Sequence, residues 1–132
     1  MSTITHAMYK VLSEFSGLAA LVGTRIFPMI LPQNSDYPAV TYNTISAPRD
    51  YTHDGASGLV AARYQITAWA ASYTTAKLVI EQVRLSVSGL AAQDGDASVQ
   101  VFHVMDETDL EYHEETRIFG IALDVEARGV EP

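Results

Sequence analysis

The chain contains no cysteine, which excludes a disulfide framework, thiolate metal sites and a cysteine nucleophile together. Positive charge is scarce as well: eight Lys and Arg stand against 16 Asp and Glu, for a net charge of -8. The bases, Lys10, Arg25, Arg49, Arg63, Lys77, Arg84, Arg117 and Arg128, are scattered singly. They form no stripe for gripping a phosphate backbone, whose neutralisation supplies most nucleic-acid affinity. No apolar run approaches the roughly 20 residues that cross a bilayer. The first ten residues lack the basic start and long apolar centre of a signal peptide. The expectation is a soluble protein made in the cytoplasm, without a membrane partner.

What is present is material for a core. With 132 residues, a 48% hydrophobic fraction and 18% charge, residues 1–132 fit one folded domain. Ile4, Met8, Val11, Leu12 and Phe15 recur at helical spacing after the capping candidates Ser2 and Thr3, with Gly17 as the expected stop. Thr24 to Pro28 reads as a brief strand, and the proline-rich stretch 29–38 as a loop crossing an edge of the structure. Ala39 to Ile45 and Leu59 to Trp69 read as strands. The second has one uniformly apolar face (Val60, Ala62, Tyr64, Ile66, Ala68) and one mixed face. Ser72 opens a second helix through Ala76, Val79, Ile80, Val83, Val87 and Leu90, and strands at Val99 to Met105 and Arg117 to Ala127 close the chain. This order predicts an α+β domain in which two helices lie on one face of a mainly antiparallel sheet. The mixed face of that sheet is left for assembly.

The polar residues offer few candidates for chemistry. His103, Asp106, Asp109, Glu111, His113 and Glu114 cluster in sequence, but their spacing fits no helical HExxH, EF-hand loop or zinc knuckle, and solvated acids are the simpler reading. Gly55-Ala56-Ser57-Gly58 lacks the second glycine of a nucleophile elbow and precedes a strand instead of following one. It precedes no helix with a phosphate-binding lysine either. No catalytic residue, metal or cofactor is assigned. Two segments remain. The stretch 47–58, with Arg49, Asp50, Tyr51, His53 and Asp54, suits a partner-contacting hairpin tip. The segment from Asp106 to Glu115 holds six of the 16 acids.

Four groups of residues together resemble a known family. They are Leu18 to Pro28, Tyr37 to Tyr42, Arg63 to Ala70 followed by Ser72 to Ala76, and the closing pair Asp109 to Tyr112 and Thr116 to Val125. In this order they are similar to the tail completion, or tail terminator, proteins of long-tailed bacteriophages. The resemblance implies a virion protein forming a ring, a hexamer, on the head-proximal end of the tail tube. Its implied partners are itself, the tube protein and the head connector, with DNA passing through unbound. On this footing Arg63, Gln65, Thr67 and Trp69 are candidate subunit-interface residues, with Trp69 as anchor. Asp106, Glu107 and Asp109 are candidates to line the passage and repel phosphates. A head-closure connector or a tube subunit is the nearest alternative, and a small enzyme or metal-binding protein a more distant one.

Overall fold

The computed structural model describes residues 3–33, 35–52, 55–88, 91–95, 97–110 and 117–131. Thr3 starts the first helix, α1 (Ile4–Glu14): its hydroxyl accepts the His6 amide at 3.0 Å, satisfying one of the amides a helix start leaves unpaired. Ile4, Ala7, Met8 and Leu12 are buried, as the apolar stripe requires. The helix stops at Phe15, two residues before the expected Gly17, and the chain re-enters helix at once as α2 (Ser16–Val22). Gly17 sits inside α2, where a Cβ would collide with the side-chain oxygen of Gln82 on α3 (Tyr73–Val87). Its smallness therefore serves close packing of two helices. The true stop is Gly23, with φ of 60°, a conformation that costs glycine little.

Among the described residues seven strands form one sheet. They are β1 (Ile26–Pro28), β2 (Ala39–Ser46), β3 (Arg49–Thr52), β4 (Gly55–Ala70), β5 (Ala92–Asp94), β6 (Ala97–Asp109) and β7 (Phe119–Val130). The lateral order is β1-β2-β4-β7-β6-β5, with β3 alongside β4 beyond the end of β2. Five pairings are antiparallel, and β1 with β2 is parallel. The α+β class holds, but the sheet is mixed, because the loop over 29–38 returns the chain in its original direction. Among the described residues three helices occur, not two; α2 has seven residues, shorter than the window over which helical periodicity is read.

Two strands extend beyond their sequence signatures. β4 begins at Gly55 because residues 49–52, read from sequence as loop, pair back onto it as β3, with Arg49 opposite Val60 and Thr52 opposite Gly55. β6 continues through Asp109, so four residues read as an acidic connection, Asp106 to Asp109, are strand. There β7 supplies the partner: Asp106 lies opposite Asp124, Glu107 opposite Leu123 and Asp109 opposite Ile121. Backbone pairing with a long neighbour overrides the low strand propensity of acidic side chains.

The pleat divides the sheet. Val60, Ala62, Tyr64, Ile66 and Ala68 of β4 and Ile121, Leu123, Val125 and Ala127 of β7 belong to one core cluster with the buried residues of α1, α2 and α3. Tyr64 is the largest fully buried side chain, and its hydroxyl lies 2.8 Å from that of Thr5 on α1. Burial raises the phenol's pKa above its ordinary value, partly offset by the Thr5 hydrogen bond.

Candidate functional site

The opposite face of the sheet begins with Trp69. Its Nε1–H donates to Thr41 Oγ1 at 2.9 Å across the β2–β4 boundary. Its six-membered ring reaches the other way over Gly120 of β7, 2.7 Å from where a Cβ would stand. The indole thus spans three strands. Thr41 and Thr67, opposite each other on β2 and β4, are 4% and 3% exposed. Of the four candidate interface residues, Arg63 is exposed, Gln65 and Trp69 are half-buried, and Thr67 is enclosed within the subunit. Thr67 therefore presents little surface of its own.

Next to Trp69 lies a pocket of about 220 Å³ lined by Met29, Ile30, Leu31, Tyr37, Thr41 and Ile118. Met29 and Ile30 are 69% and 76% exposed, the most solvent-facing of the large hydrophobic residues. Water contact at such residues costs free energy, and a contiguous exposed apolar patch marks a contact surface. The loop is held in shape: the Met29 amide donates to the Tyr42 carbonyl and the Ile30 amide to the Pro28 carbonyl, both at 2.8 Å. Met29 has φ of 66° and Arg117, beside Ile118, has φ of 55°. They are the non-glycine residues with positive φ among the described residues, a conformation that strains an L side chain. The sequence reading missed this patch. Its signal was Met29-Ile30-Leu31 standing between Pro28 and Pro32, an apolar triplet where polar turn residues are the norm.

The acidic candidates separate by face. Glu107 and Asp109 follow Leu123 and Ile121 toward the helix side, where Lys77 of α3 meets them at 2.7 and 3.4 Å. The Tyr73 hydroxyl also donates to Asp109, at 2.9 Å. The Glu107 carboxylate holds the Lys77 ammonium well above the ordinary lysine pKa, and Tyr73 and Asp109 add to the effect. These two acids brace α3 against β6. Asp106 instead faces the uncovered side, directly across from Asp124, so like charges stand opposite one another there. Of the three candidates, Asp106 thus lies on one face of the sheet and Glu107 and Asp109 on the other.

The 47–58 segment also divides. Asp50 and Tyr51 lie on β3 by their backbone, whereas His53 and Asp54 lie outside the described residues. Arg49 reaches across to the last described residue: its guanidinium pairs with Glu131 at 2.8 Å. The other oxygen of Glu131 accepts the Ile4 amide at 2.8 Å, so one carboxylate joins the start of α1 to β3, at a helix end that favours negative charge. Beside it, a groove of about 430 Å³ runs between Pro48 and Arg49 on one side and Gln100 and Arg128 on the other.

Among the described residues no group of three or more His, Asp or Glu is placed to hold a metal ion. His103 is exposed opposite Glu126, while Glu111, His113 and Glu114 lie outside the described residues. Among the described residues no helix is long and apolar enough to cross a membrane.

An α+β scaffold with one sheet face packed by helices, the other carrying a half-buried tryptophan, and a stiff loop offering apolar side chains to solvent is a protein built for contact with other proteins. Residues 6–129 match the family described as "Tail completion protein gp17", and the chain belongs to that family: it is a structural protein of the virion tail. The resemblance read in the sequence is correct. The fold is similar to that of a chain from "Virion of native gene transfer agent (GTA) particle", with a TM-score of 0.80 and 20% identity over 97% of this chain and 95% of that one. No curated protein matches the sequence.

Proposed function

We propose that the protein forms a ring, a hexamer, on the head-proximal end of the tail tube, ending tube growth and offering its far side to the head connector. The observation that carries this reading is the family match over residues 6–129. A ring needs a heterologous contact that closes on itself, and the open sheet face supplies suitable surface. Trp69 is its anchor, with Arg63 and Gln65 as polar partners. Asp106 and Asp124, nearer the β6 side of that face, border the DNA passage and repel phosphates, so that DNA moves through without specific binding. The β3–β4 hairpin, with Asp50 and Tyr51 on β3, meets a ring above or below, and Arg49 anchors it through Glu131; His53 and Asp54 belong to the same proposed contact segment. The protein acts through these interfaces and performs no catalysis.

The test is the mass of the purified protein across concentration, by light scattering coupled to size exclusion, with and without tail tubes. A discrete ring, or a monomer that forms a ring only at tube ends, is expected. Open-ended polymers would instead make it a tube subunit, and a monomer that ignores tubes would overturn the reading.

A further inference from the structure

The geometry points to a specific head-to-tail contact between copies of this chain: the Met29–Ile30 loop of one copy seats in the groove between α3 and β6 of the next. This rests on the ring reading and names the two surfaces that would join. A closed ring requires two different, complementary patches at separate places on one subunit. The loop follows β1, at one edge of the sheet. The groove lies four strand steps away at β6, roughly 19 Å at about 4.8 Å per step.

The two surfaces are complementary in shape and charge. The loop is a projection: Ile30 is 76% and Met29 69% exposed, on a backbone fixed by two 2.8 Å hydrogen bonds. The receiving surface is a recess of about 340 Å³ lined by Leu78, Ile80, Glu81, Arg84 and Glu107, among others. Leu78 and Leu85, seven residues apart on α3, are 49% and 46% exposed, an apolar stripe left half-open to solvent among the described residues. Arg84 reaches Glu81 only at 3.9 Å, whereas Lys77 is held at 2.7 Å by Glu107. Arg84 is thus the groove's available cation, and the exposed Asp36 is the only charged residue in the loop over 29–38. The loop also shares its pocket with Trp69, so the contact continues the proposed interface. Subunits would overlap like shingles, the helix side of one copy lying against the open-face edge of its neighbour.

The absence of cysteine makes a direct test possible. Ile30→Cys and Leu78→Cys are prepared separately and combined in one chain, with folding checked by circular dichroism, and treated with a short bis-maleimide. Mass is followed in parallel with and without tail tubes. Mixing the two single variants is expected to give covalent dimers that neither gives alone, and the double variant a ladder of multiples ending at the ring. In the uncrosslinked protein, Ile30→Asp or Leu78→Asp is expected to weaken assembly about tenfold or more. A discrete ring in which the 30–78 pair does not cross-link would overturn this contact and leave the ring reading standing. A double variant that stops at covalent dimers would show a two-fold contact and overturn it as well. A monomer at every concentration, with tubes or without, would remove both.

Discussion

The ring of Trp69 occupies the space that a side chain at Gly120 would need, with Cζ3 2.7 Å from an ideal Cβ position. This one relationship sets the shape of the open sheet face, because the indole lies across β7 only where β7 has no side chain. Gly120→Ala is expected to push the indole away from Thr41 and cost about 1–3 kcal/mol, in the range of other overpacked sites. Trp69 is the chain's single tryptophan, so its fluorescence in a urea titration reports both the local shift and the lost stability.

Gly129 offers an internal comparison. A Cβ there would meet the Ser98 carbonyl oxygen and stand 2.9 Å from Val99 Cα, next to the irregularity in β6 between Val99 and Val101. Backbone atoms cannot rotate aside as an indole can. Gly129→Ala should therefore destabilise more than Gly120→Ala, by about 3 kcal/mol or more. Equal urea midpoints for the two variants would contradict this account.

Glu131 joins Arg49 and the Ile4 amide through its two oxygens. Glu131→Ala is expected to cost about 1.5–3 kcal/mol, as for hydrogen bonds to a charged group, and Glu131→Gln less, since an amide oxygen still accepts from Ile4. A double-mutant cycle with Arg49→Ala isolates the ion pair. Its coupling energy is expected to shrink in added salt, because Arg49 is 49% exposed.

Tyr64 and Lys77 both predict alkaline sensitivity. Each has a pKa raised by folding, so each contributes stability that is complete below its unfolded value and is lost as pH rises through the folded one. Those unfolded values are 10.0 and 10.5. The wild type should thus lose stability above about pH 10. Tyr64→Phe lowers stability at neutral pH by about 1 kcal/mol, through the lost Thr5 hydrogen bond, and flattens the alkaline decline. Lys77→Met shows a stability deficit that is constant from pH 7 to about 10 and narrows only above it. Denaturation midpoints across pH 7–11 measure both.

The acidic segment gives a contrast in sign. Asp106→Lys should leave stability unchanged or raise it by a few tenths of a kcal/mol, because it turns a like-charge pair with Asp124 into an opposite one. Glu107→Lys sets two ammonium groups against each other at Lys77 and should lower the melting temperature. If Asp106 borders the DNA passage, Asp106→Lys also slows DNA ejection from assembled particles, and normal ejection would exclude that placement.

Periodicity was legible wherever a helix or strand buries one face for several turns or pleats. The Ile4–Phe15 stripe, the Ser72 cap with its Val79–Ile80–Val83 stripe, and the alternation from Val60 to Ala68 all appear in the structure as read. Burying an apolar face is the main local demand on such segments, and it writes itself into the residue order. The ordered set of short segments also identified the family, which composition alone could not.

The tertiary structure decided what depends on a neighbour distant in sequence. β3 exists because residues 49–52 find β4, and the end of β6 because β7 is long enough to pair with acids. Those pairings decide that Glu107 points to Lys77 while its neighbour Asp106 points away, that Arg49 turns to Glu131, and that Thr67 is enclosed opposite Thr41. A strand's pleat assigns alternate residues to opposite faces, but only register with the next strand says which face each one joins. Sequence therefore fixed which residues form the core, whereas register and packing decided which polar residues brace the subunit and which remain to meet its partners.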